Sequence, residues 1–307
     1  MDYRSTIDSR YKDNIFINSP SEPNNSSSIE ILYQSGQIKP YISIVMPIYN
    51  QESIIEKNIL SIFKCTTELS YELILIIDSC SDATESVIMK MIRDCALPSL
   101  LVRILVLKSL TPLFETAADN LGFICSTGKF ILEIQADMEM TEVGYNMKLL
   151  KPFSIYGEIL GISGRCCHGL TTNEGIGKLG ASVDNALPEY IDRDTFYIGE
   201  TCNRGPLMLD SEKLRTLGYL DEKNYFLDNS DHDLFARAYY EKGWVCGYCP
   251  IDYSSPLVNG STRKPRDLVN EVYFKNKMET CKGGFLVKYL ESNPPSRNIQ
   301  KIMLNLE

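Results

Sequence analysis

The sequence predicts an α/β fold in which a mainly parallel sheet is flanked by helices. From residue 41 onward, short apolar runs that read as strands alternate with stretches of helical periodicity. The runs are apolar at consecutive positions, which is typical of strands buried on both faces of a parallel sheet. Polar and acidic residues follow several of these runs, where ligands bind in such sheets.

The first half of the chain contains four predicted strands. Residues 42–47 form the first and end at a proline, and residues 53–63 carry isoleucines at helical spacing. The next elements in order are a strand at 73–77, a helix at about 84–95, a strand at 102–107, a helix at 111–124 and a strand at 130–135.

The second half is less regular. It contains predicted strands at 159–163, 205–209 and 244–249, helices at 211–217 and 230–242, and a helical tail at 268–290. Residues 1–38 are rich in serine, proline and asparagine and predict a flexible arm. The short apolar pieces 15–17 and 29–33 of that arm could dock on the domain.

The composition excludes several classes of protein. The chain has 307 residues and a net charge of −9, so general affinity for nucleic acid or anionic lipid is not expected. No segment approaches the roughly 20 apolar residues that cross a bilayer, and residues 1–14 lack the apolar core of a signal peptide. We expect a cytoplasmic protein whose ten cysteines are free thiols.

Two carboxylates follow the fourth strand. Asp137 and Glu139 lie one residue apart, and in an extended chain both side chains would face the same side. Paired carboxylates suit Mg²⁺ or Mn²⁺, which would neutralise a bound diphosphate in this acidic protein. A solvated acidic turn is the alternative, because the pattern is common by itself.

Several motifs in order resemble those of the family 2 glycosyltransferases, which have the GT-A fold. Residues 43–52 read SIVMPIYNQE, and residues 78–84, after the second strand, read DSCSDAT. The resemblance continues through Asn120-Leu121-Gly122, through residues 128–130 and 203–206, and through residues 231–234 with Arg237 and Gly243. It covers about residues 41–250.

The resemblance implies how the chain is divided. It implies one Rossmann-like GT-A domain at residues 39–260. A nucleotide-sugar-binding half would span 39–140 and an acceptor-side half 141–260. A basic loop and helical tail would follow at 261–307.

The resemblance also implies roles for matching residues. Pro47, Tyr49 and Glu52 would line the base and ribose pocket, Asp78 would bind the nucleobase, Asn120 would approach the ribose or pyrophosphate, and Asp137 would bind the metal–diphosphate with Glu139. Simpler interpretations are a helix entry with an exposed acid for Tyr49 and Glu52, a turn or helix cap for Asp78, and a helix-end residue for Asn120.

Asp231 matches the family's catalytic aspartate and is the candidate general base. Glycosyl transfer requires an acceptor hydroxyl to lose its proton, and a placed carboxylate can accept it. Asp233 could be the base instead, and Asp228 is a weaker candidate. The alternative role for Ser230 or Asp231 is to cap the helix at 230–242.

The later region lacks the histidine ligand that many relatives have, since the chain's two histidines are His168 and His232. The protein would then supply only Asp137 and Glu139, or one of them, to the metal. Three cations, Arg263, Lys264 and Arg266, could form a lid over a diphosphate or a solvated loop.

Two further motifs match functional patterns without the context that those functions need. The glycines of residues 175–180 follow a polar loop rather than a strand, and so do not predict a dinucleotide site. Cys246 and Cys249 lie in an apolar run and predict packed thiols rather than a zinc or redox site.

We therefore expect an inverting glycosyltransferase that moves a sugar from a nucleoside-diphosphate sugar, with a UDP-sugar as the first choice. The acceptor would be a hydroxyl-bearing glycan or other molecule, and a divalent cation, Mn²⁺ or Mg²⁺, would be the cofactor. The alternatives are a nucleotidyltransferase and a non-catalytic nucleotide-sugar-binding protein with the GT-A fold.

Overall fold

The computed structural model describes residues 27–36, 38–169, 179–180, 192–227, 229–256, 284–286 and 300–303. The strands are β1 (Ser27–Gln34), β2 (Ile42–Ile48), β3 (Tyr71–Asp78), β4 (Leu101–Ser109), β5 (Phe130–Glu133), β6 (Glu139–Met140), β7 (Ile159–Ser163), β8 (Cys166–His168), β9 (Leu179–Gly180), β10 (Thr195–Gly199), β11 (Thr201–Cys202), β12 (Leu207–Asp210), β13 (Val245–Tyr248), β14 (Tyr253–Ser254) and β15 (Gln300–Met303). The helices are α1 (Ile55–Cys65), α2 (Thr84–Asp94), α3 (Phe114–Cys125), α4 (Tyr145–Ile155), α5 (Ser211–Thr216) and α6 (Ser230–Lys242).

Ten of the described strands form one sheet, in the order β1-β4-β3-β2-β5-β12-β7-β13-β10-β15. The neighbours β4, β3, β2 and β5 run parallel, so their carboxyl ends meet at one edge of the sheet. β12 lies antiparallel between β5 and β7, and β7 pairs parallel with β13. The predicted α/β fold, with a large parallel block flanked by helices, is confirmed.

Helices cover both faces of this sheet. The apolar side chains of α1, α2 and α4 pack into one core, and those of α3, α5 and α6 pack into the other. Gly122 allows α3 to lie close to β2, because a Cβ atom there would stand 2.3 Å from Val45 Cγ1. The two cores explain why the central strands are apolar at consecutive positions.

Strand β1 corrects the boundary of the predicted arm. Residues 27–34 pair antiparallel with β4 at the edge of the sheet, where the sequence predicted a flexible arm. The docking that was allowed for the apolar piece 29–33 is confirmed. The partner strand lies about 70 residues further along the chain, and such long-range pairing leaves little local signal. Residues 1–26 of the arm lie outside the described residues.

Helix α4 was not predicted, and α3 begins at Phe114 rather than at residue 111. α4 contains Pro152, and only four of its residues, Tyr145, Asn146, Leu149 and Pro152, are buried. A short helix with an internal proline and a narrow buried face gives a weak periodic signal. Most of the predicted helical tail at 268–290 lies outside the described residues.

A buried ion pair holds the amino-terminal ends of the parallel strands together. Glu72 of β3 pairs with Arg103 of β4, and its carboxylate also accepts hydrogen bonds from Ser43 Oγ (2.5 Å) and from the backbone N–H of Thr127 (2.7 Å). Burial raises the pKa of Glu72, and these hydrogen bonds oppose the rise. The carboxylate therefore depends on its partners to remain charged in the core.

Replacing Arg103 by methionine is expected to lower the free energy of unfolding by about 3–5 kcal/mol, because Glu72 would be left as an uncompensated buried charge. Urea denaturation measures this loss. The matched control is Arg93→Met, which breaks the exposed pair with Asp94 and should cost at most about 1 kcal/mol. Equal losses in both variants would show that the buried pair does not stabilise the sheet.

Candidate functional site

The loops after β2 and β3 are joined by hydrogen bonds at the carboxyl edge of the sheet. The side chain of Asn50 donates to Ser81 Oγ (3.0 Å) and accepts from the Ser81 N–H (2.9 Å). Glu52 Oε2 accepts a hydrogen bond from the N–H of Ala83 at 2.7 Å, just before α2 begins. The structure therefore places Glu52 as a support for the second loop, with its exposed acid bound to backbone.

Pro47 and Tyr49 lie where the resemblance places the base pocket. Pro47 is half-buried near the end of β2, and Tyr49 is 8% exposed directly after that strand. Both positions are at the carboxyl edge and agree with a pocket wall, and their contact with a nucleotide stays a prediction.

Asp78 is buried at the end of β3 and holds the start of α3. Its Oδ1 accepts the N–H of Leu113 at 2.8 Å, and its Oδ2 accepts the N–H of Phe114 at 2.9 Å. Phe114 has a φ of 60°, an unusual conformation for a large side chain. The carboxylate satisfies two N–H groups at the helix start, so the structure gives it the helix-capping role that was the simpler interpretation.

Asn120 also has a structural role. Its Nδ2 donates to the carbonyl of Leu220 (2.9 Å) and to Glu222 Oε2 (3.2 Å), and its Oδ1 accepts from the N–H of Leu220 (2.9 Å). Both N–H donors of the amide are therefore used to hold the loop after α5. The contact of Asn120 with ribose or pyrophosphate stays a prediction.

Asp137 and Glu139 have different neighbours, although the sequence predicted that they face the same side. The Glu139 carboxylate pairs with Lys57 on α1 at 2.6 Å. Asp137 is affected instead by Arg165, Ser255 and Glu115. The extended-chain argument fails here because β6 begins only at Glu139, after a turn.

Asp137 offers one oxygen for a cation. Its Oδ1 is buried and has no hydrogen-bond partner among the described residues. Burial raises the pKa of Asp137, and Arg165 and a hydrogen bond from Ser255 only partly oppose the rise. A buried carboxylate oxygen without a donor fits a divalent ion. Within the described ranges no three acidic, histidine or cysteine side chains are grouped so that they could hold a metal ion.

Asp231 is buried at the start of α6, where backbone donors hold it. Its Oδ1 accepts the N–H of His232 (2.9 Å) and its Oδ2 accepts the N–H of Arg204 (3.2 Å). Burial alone would raise the pKa of Asp231, but His232, the Arg204 guanidinium and these two N–H groups lower it below the ordinary value. Asp231 is therefore a carboxylate at neutral pH and has lone pairs left to accept a proton.

Both carboxylate oxygens of Asp233, the alternative base, accept hydrogen bonds from other residues. Its Oδ2 accepts from Arg237 Nε at 2.7 Å and its Oδ1 accepts from the N–H of Leu286 at 2.9 Å. This ion pair within α6 makes Asp233 a structural residue, and the geometry favours Asp231. The weaker candidate Asp228 lies outside the described residues.

Arg204 connects Asp231 to the rest of the site. Its guanidinium is buried and donates to Asp119 Oδ2 at 2.5 Å and to the carbonyl of Leu227 at 2.8 Å. Glu115 Oε1 lies 3.4 Å from Arg204 Nη2 and also accepts from Gln135 Nε2 at 3.1 Å. A polar chain therefore runs from the segment before Asp137 to Asp231.

Sequence reasoning missed three residues of this network, Glu115, Glu133 and Gln135, and gave Arg204 no role beyond the motif at 203–206. Glu133 is fully buried in β5, and its Oε2 accepts the N–H of Gly205 at 2.7 Å. An acid inside an otherwise apolar strand is a usable signal, because unpaired buried carboxylates are rare.

Two carboxyl groups of the network have raised pKa values. Burial, followed by the charges of Glu115 and Asp231, raises the pKa of Asp119 to about 7, although Arg204 opposes the rise. Burial and the charge of Asp119 raise the pKa of Glu133 well above its ordinary value. The folded protein therefore holds protons here that the unfolded chain releases.

These raised pKa values predict that stability falls as the pH rises. The stabilisation is complete below about pH 4, where the unfolded carboxyl groups are also protonated, and is lost as the pH rises through about 7. Urea unfolding at pH 5, 6 and 7 should show a loss of about 1.4 kcal/mol per pH unit for each proton that the folded protein holds. A free energy of unfolding that is flat or rises over this range would contradict the assignment.

The remaining predictions concern thiols and loops. Cys246 and Cys249 are buried and free, and burial raises the pKa of Cys249 to about 12, so the prediction of packed thiols is confirmed.

Most of the glycine-rich segment at 175–180 and all of the basic loop with Arg263, Lys264 and Arg266 lie outside the described residues. Among the helices that the structure describes, none has the length and apolarity to cross a membrane.

Comparisons with known proteins found similarity to glycosyltransferases. Residues 43–161 match the model of glycosyl transferase family 2, which confirms the resemblance over that range. The motifs after residue 161 lie beyond the match. No curated protein matches the chain in sequence.

Two solved structures share the fold. A mannosyltransferase from Pyrobaculum calidifontis, in complex with GDP-Man and Mn²⁺, is 14% identical over 70% of this chain and 56% of its own, with a TM-score of 0.52. GalNAc-T7, with UDP, GalNAc and Mn²⁺, is 14% identical over 81% of this chain and 51% of its own, with a TM-score of 0.56. The chain therefore spans little more than half the length of these proteins.

Proposed function

We propose that this chain, which carries a family 2 glycosyltransferase domain over residues 43–161, transfers a sugar from a nucleoside-diphosphate sugar to a hydroxyl acceptor with inversion. The observation that carries the proposal is the polar chain at the carboxyl edge of the sheet. It runs from Gln135 through Glu115 and Arg204 to the ionised Asp231. Asp137, with its unpartnered buried oxygen, lies two residues after the start of this polar chain.

Asp231 would take the proton from the acceptor. As the acceptor oxygen attacks the anomeric carbon, its proton passes to the Asp231 carboxylate, and the bond from that carbon to the phosphate oxygen breaks. The electron pair leaves with the nucleoside diphosphate. One displacement inverts the anomeric centre and forms no covalent intermediate with the protein.

Asp137 would hold the divalent ion, which supplies positive charge to the departing diphosphate. Complexes of the two solved relatives contain Mn²⁺ with GDP-Man or with UDP, which supports a Mn²⁺-dependent nucleotide site here. We infer that Asp137 is the protein's ligand to the divalent ion and that Glu139 pairs with Lys57 instead. Pro47 and Tyr49 would form the wall against the base, and UDP remains the first choice of nucleotide.

A second candidate function is non-catalytic binding of nucleotide sugars. It is favoured by the pairing of Glu139 with Lys57 and by the lack of a three-ligand cluster among the described residues. Such a protein would bind the donor and not turn it over.

A thermal-shift screen tests donor binding. UDP-, GDP- and dTDP-sugars are added with and without Mn²⁺, and one nucleotide class is expected to raise the unfolding temperature more when Mn²⁺ is present. At 100 times its Kd a ligand stabilises by about 2.7 kcal/mol, which is a few degrees for a chain of this size. If none of the nucleotide sugars shifted the unfolding temperature, the proposal would be contradicted.

A further inference from the structure

A cavity with an apolar wall lies between α4 and the starts of β2 and β5. Its volume is about 780 Å³, within the range of roughly 300–1,000 Å³ that is typical of small-molecule sites. Among the described residues that line it, none is assigned to the nucleotide, to the metal ion or to the general base. The cavity is therefore separate from the proposed glycosyl-transfer site.

Aromatic and aliphatic side chains form the wall of this cavity. The ring centroids of Tyr41 and Phe130 are 5.8 Å apart, and the ring of Phe153 meets that of Phe130 edge-on at 5.0 Å. Met147 and Leu150 of α4 also line the cavity. Because the three rings pack against one another, the wall is formed without a ligand, and its surface suits the apolar part of a bound molecule.

Charged side chains line the same cavity, and cations outnumber carboxylates by four to two. Glu142 is bonded to two of the cations, since its Oε1 lies 3.1 Å from Lys148 Nζ and its Oε2 lies 2.9 Å from Arg193 Nη2. The excess of positive charge is local, because the whole chain has a net charge of −9. The charged side chains are Lys129, Lys148, Lys151, Arg193, Glu142 and Asp194.

Two of the cations, Lys129 and Lys151, form no ion pair with any residue that the structure describes. The ammonium group of Lys129 lies 5.8 Å from the ring centroid of Tyr41 and 5.4 Å from that of Phe130, so it is held beside the aromatic wall. Lys151 lies on α4, two residues before Phe153. An anionic group that bound at these lysines would find positive charge without breaking an existing ion pair.

We propose that this cavity binds an anionic amphiphile, a molecule with a single alkyl chain that ends in a carboxylate or a phosphate group. The alkyl chain packs against Phe130, Leu150 and Phe153, and the anionic head group lies at Lys129 and Lys151. An uncharged apolar ligand would leave both ammonium groups unneutralised, and a compact anion such as inorganic phosphate would leave the aromatic wall in water. The site does not depend on the proposed glycosyl transfer.

Isothermal titration of the full chain with decyl phosphate and with decanoate, below the concentrations at which they form micelles, tests the site. At least one of the two should bind at a single site per chain, and the one that binds more tightly identifies the head group. Decanol, which has the same alkyl chain without the charge, should bind about tenfold more weakly. Absence of saturable binding by both amphiphiles, or equal affinity for decanol, would overturn the proposal.

Lysine variants place the binding in the cavity. Lys129→Gln combined with Lys151→Gln should weaken the binding of the tighter amphiphile by about tenfold, because both unpaired ammonium charges are removed. Neither lysine is buried, so the fold should be kept. Lys90→Gln, on an exposed lysine of α2 outside the cavity, is the matched control and should stay within about twofold. Unchanged affinity in the double variant would overturn the proposal.

A cavity-filling variant tests the alkyl-chain part of the site. Leu150→Trp places a larger side chain in the space of the alkyl chain and should weaken binding of the amphiphile at least about tenfold. The unfolding temperature of the variant without ligand shows whether it is folded, and its thermal shift with the nucleotide sugar should equal that of the original chain. A folded Leu150→Trp chain that bound the amphiphile as tightly as the original chain would overturn the proposal. If the variant did not fold, the lysine variants would decide.

Discussion

Asp231→Asn is expected to lower the turnover of the nucleotide sugar by about 10²–10⁴-fold, the contribution of a placed general base. Asparagine has the same size, and its single carbonyl oxygen can accept the N–H of either Arg204 or His232 but not both. It cannot take a proton from the acceptor. The nucleotide Kd should stay within about threefold of that of the original chain, because Asp231 is not assigned to the donor pocket. Release of the nucleoside diphosphate measures the rate.

Two control variants separate loss of the base from loss of the fold. Asp94→Asn changes an exposed carboxylate paired with its neighbour Arg93 and should leave turnover unchanged. Asp233→Asn breaks the pair with Arg237 and should lower the unfolding temperature. If Asp233→Asn abolished turnover in a fully folded protein and Asp231→Asn did not, the base would be Asp233.

Asp137→Asn is expected to weaken Mn²⁺-dependent binding of the nucleotide sugar by about 100-fold or more. The ion supplies several kcal/mol of stabilisation to the diphosphate, and asparagine loses the charge that holds it. Binding without Mn²⁺ should be little changed. Isothermal titration of the nucleotide with and without Mn²⁺ measures both values.

Glu139→Gln is the matched control, because the structure pairs Glu139 with Lys57 rather than with Asp137. Its Mn²⁺-dependent affinity should remain within about threefold of that of the original chain. An equal loss in both variants would mean that the two carboxylates share the ion, as the spacing in the sequence first suggested.

The sequence was sufficient to predict the parallel block because each strand carries its own local signal. β2, β3, β4 and β5 are apolar at consecutive positions and are separated by helical patterns. β1 was assigned to the arm because it lies at the edge of the sheet and pairs with one strand, β4, which is distant in the sequence. α4 was missed because Pro152 and a narrow buried face weaken its periodicity.

The motifs gave candidate site residues, and the contact of these residues with a nucleotide sugar stays a prediction. Asp78 and Glu52 lie at the carboxyl edge of the sheet, and Asn120 lies within α3. Their bonds go to Leu113, Ala83 and Leu220 respectively. A motif gives the residue type and its place along the chain. The partner of a buried side chain is set by tertiary packing, which the local sequence does not contain.

Glu133 was missed for the same reason, because its partners are distant in the sequence. It interrupts a buried strand and could have been noticed, but its partners Gly205 and Arg204 lie some 70 residues away. Only the structure shows that these residues stand beside Asp231.

The central claim is that this chain transfers the sugar of a nucleoside-diphosphate sugar. The most direct measurement incubates the full chain with Mn²⁺ and the nucleotide sugar that stabilises it, and identifies the released product by chromatography. The account predicts a nucleoside diphosphate, formed in the original chain and absent in Asp231→Asn. Release of pyrophosphate instead would indicate a nucleotidyltransferase, and binding without any product would indicate a non-catalytic protein; either result would contradict the account.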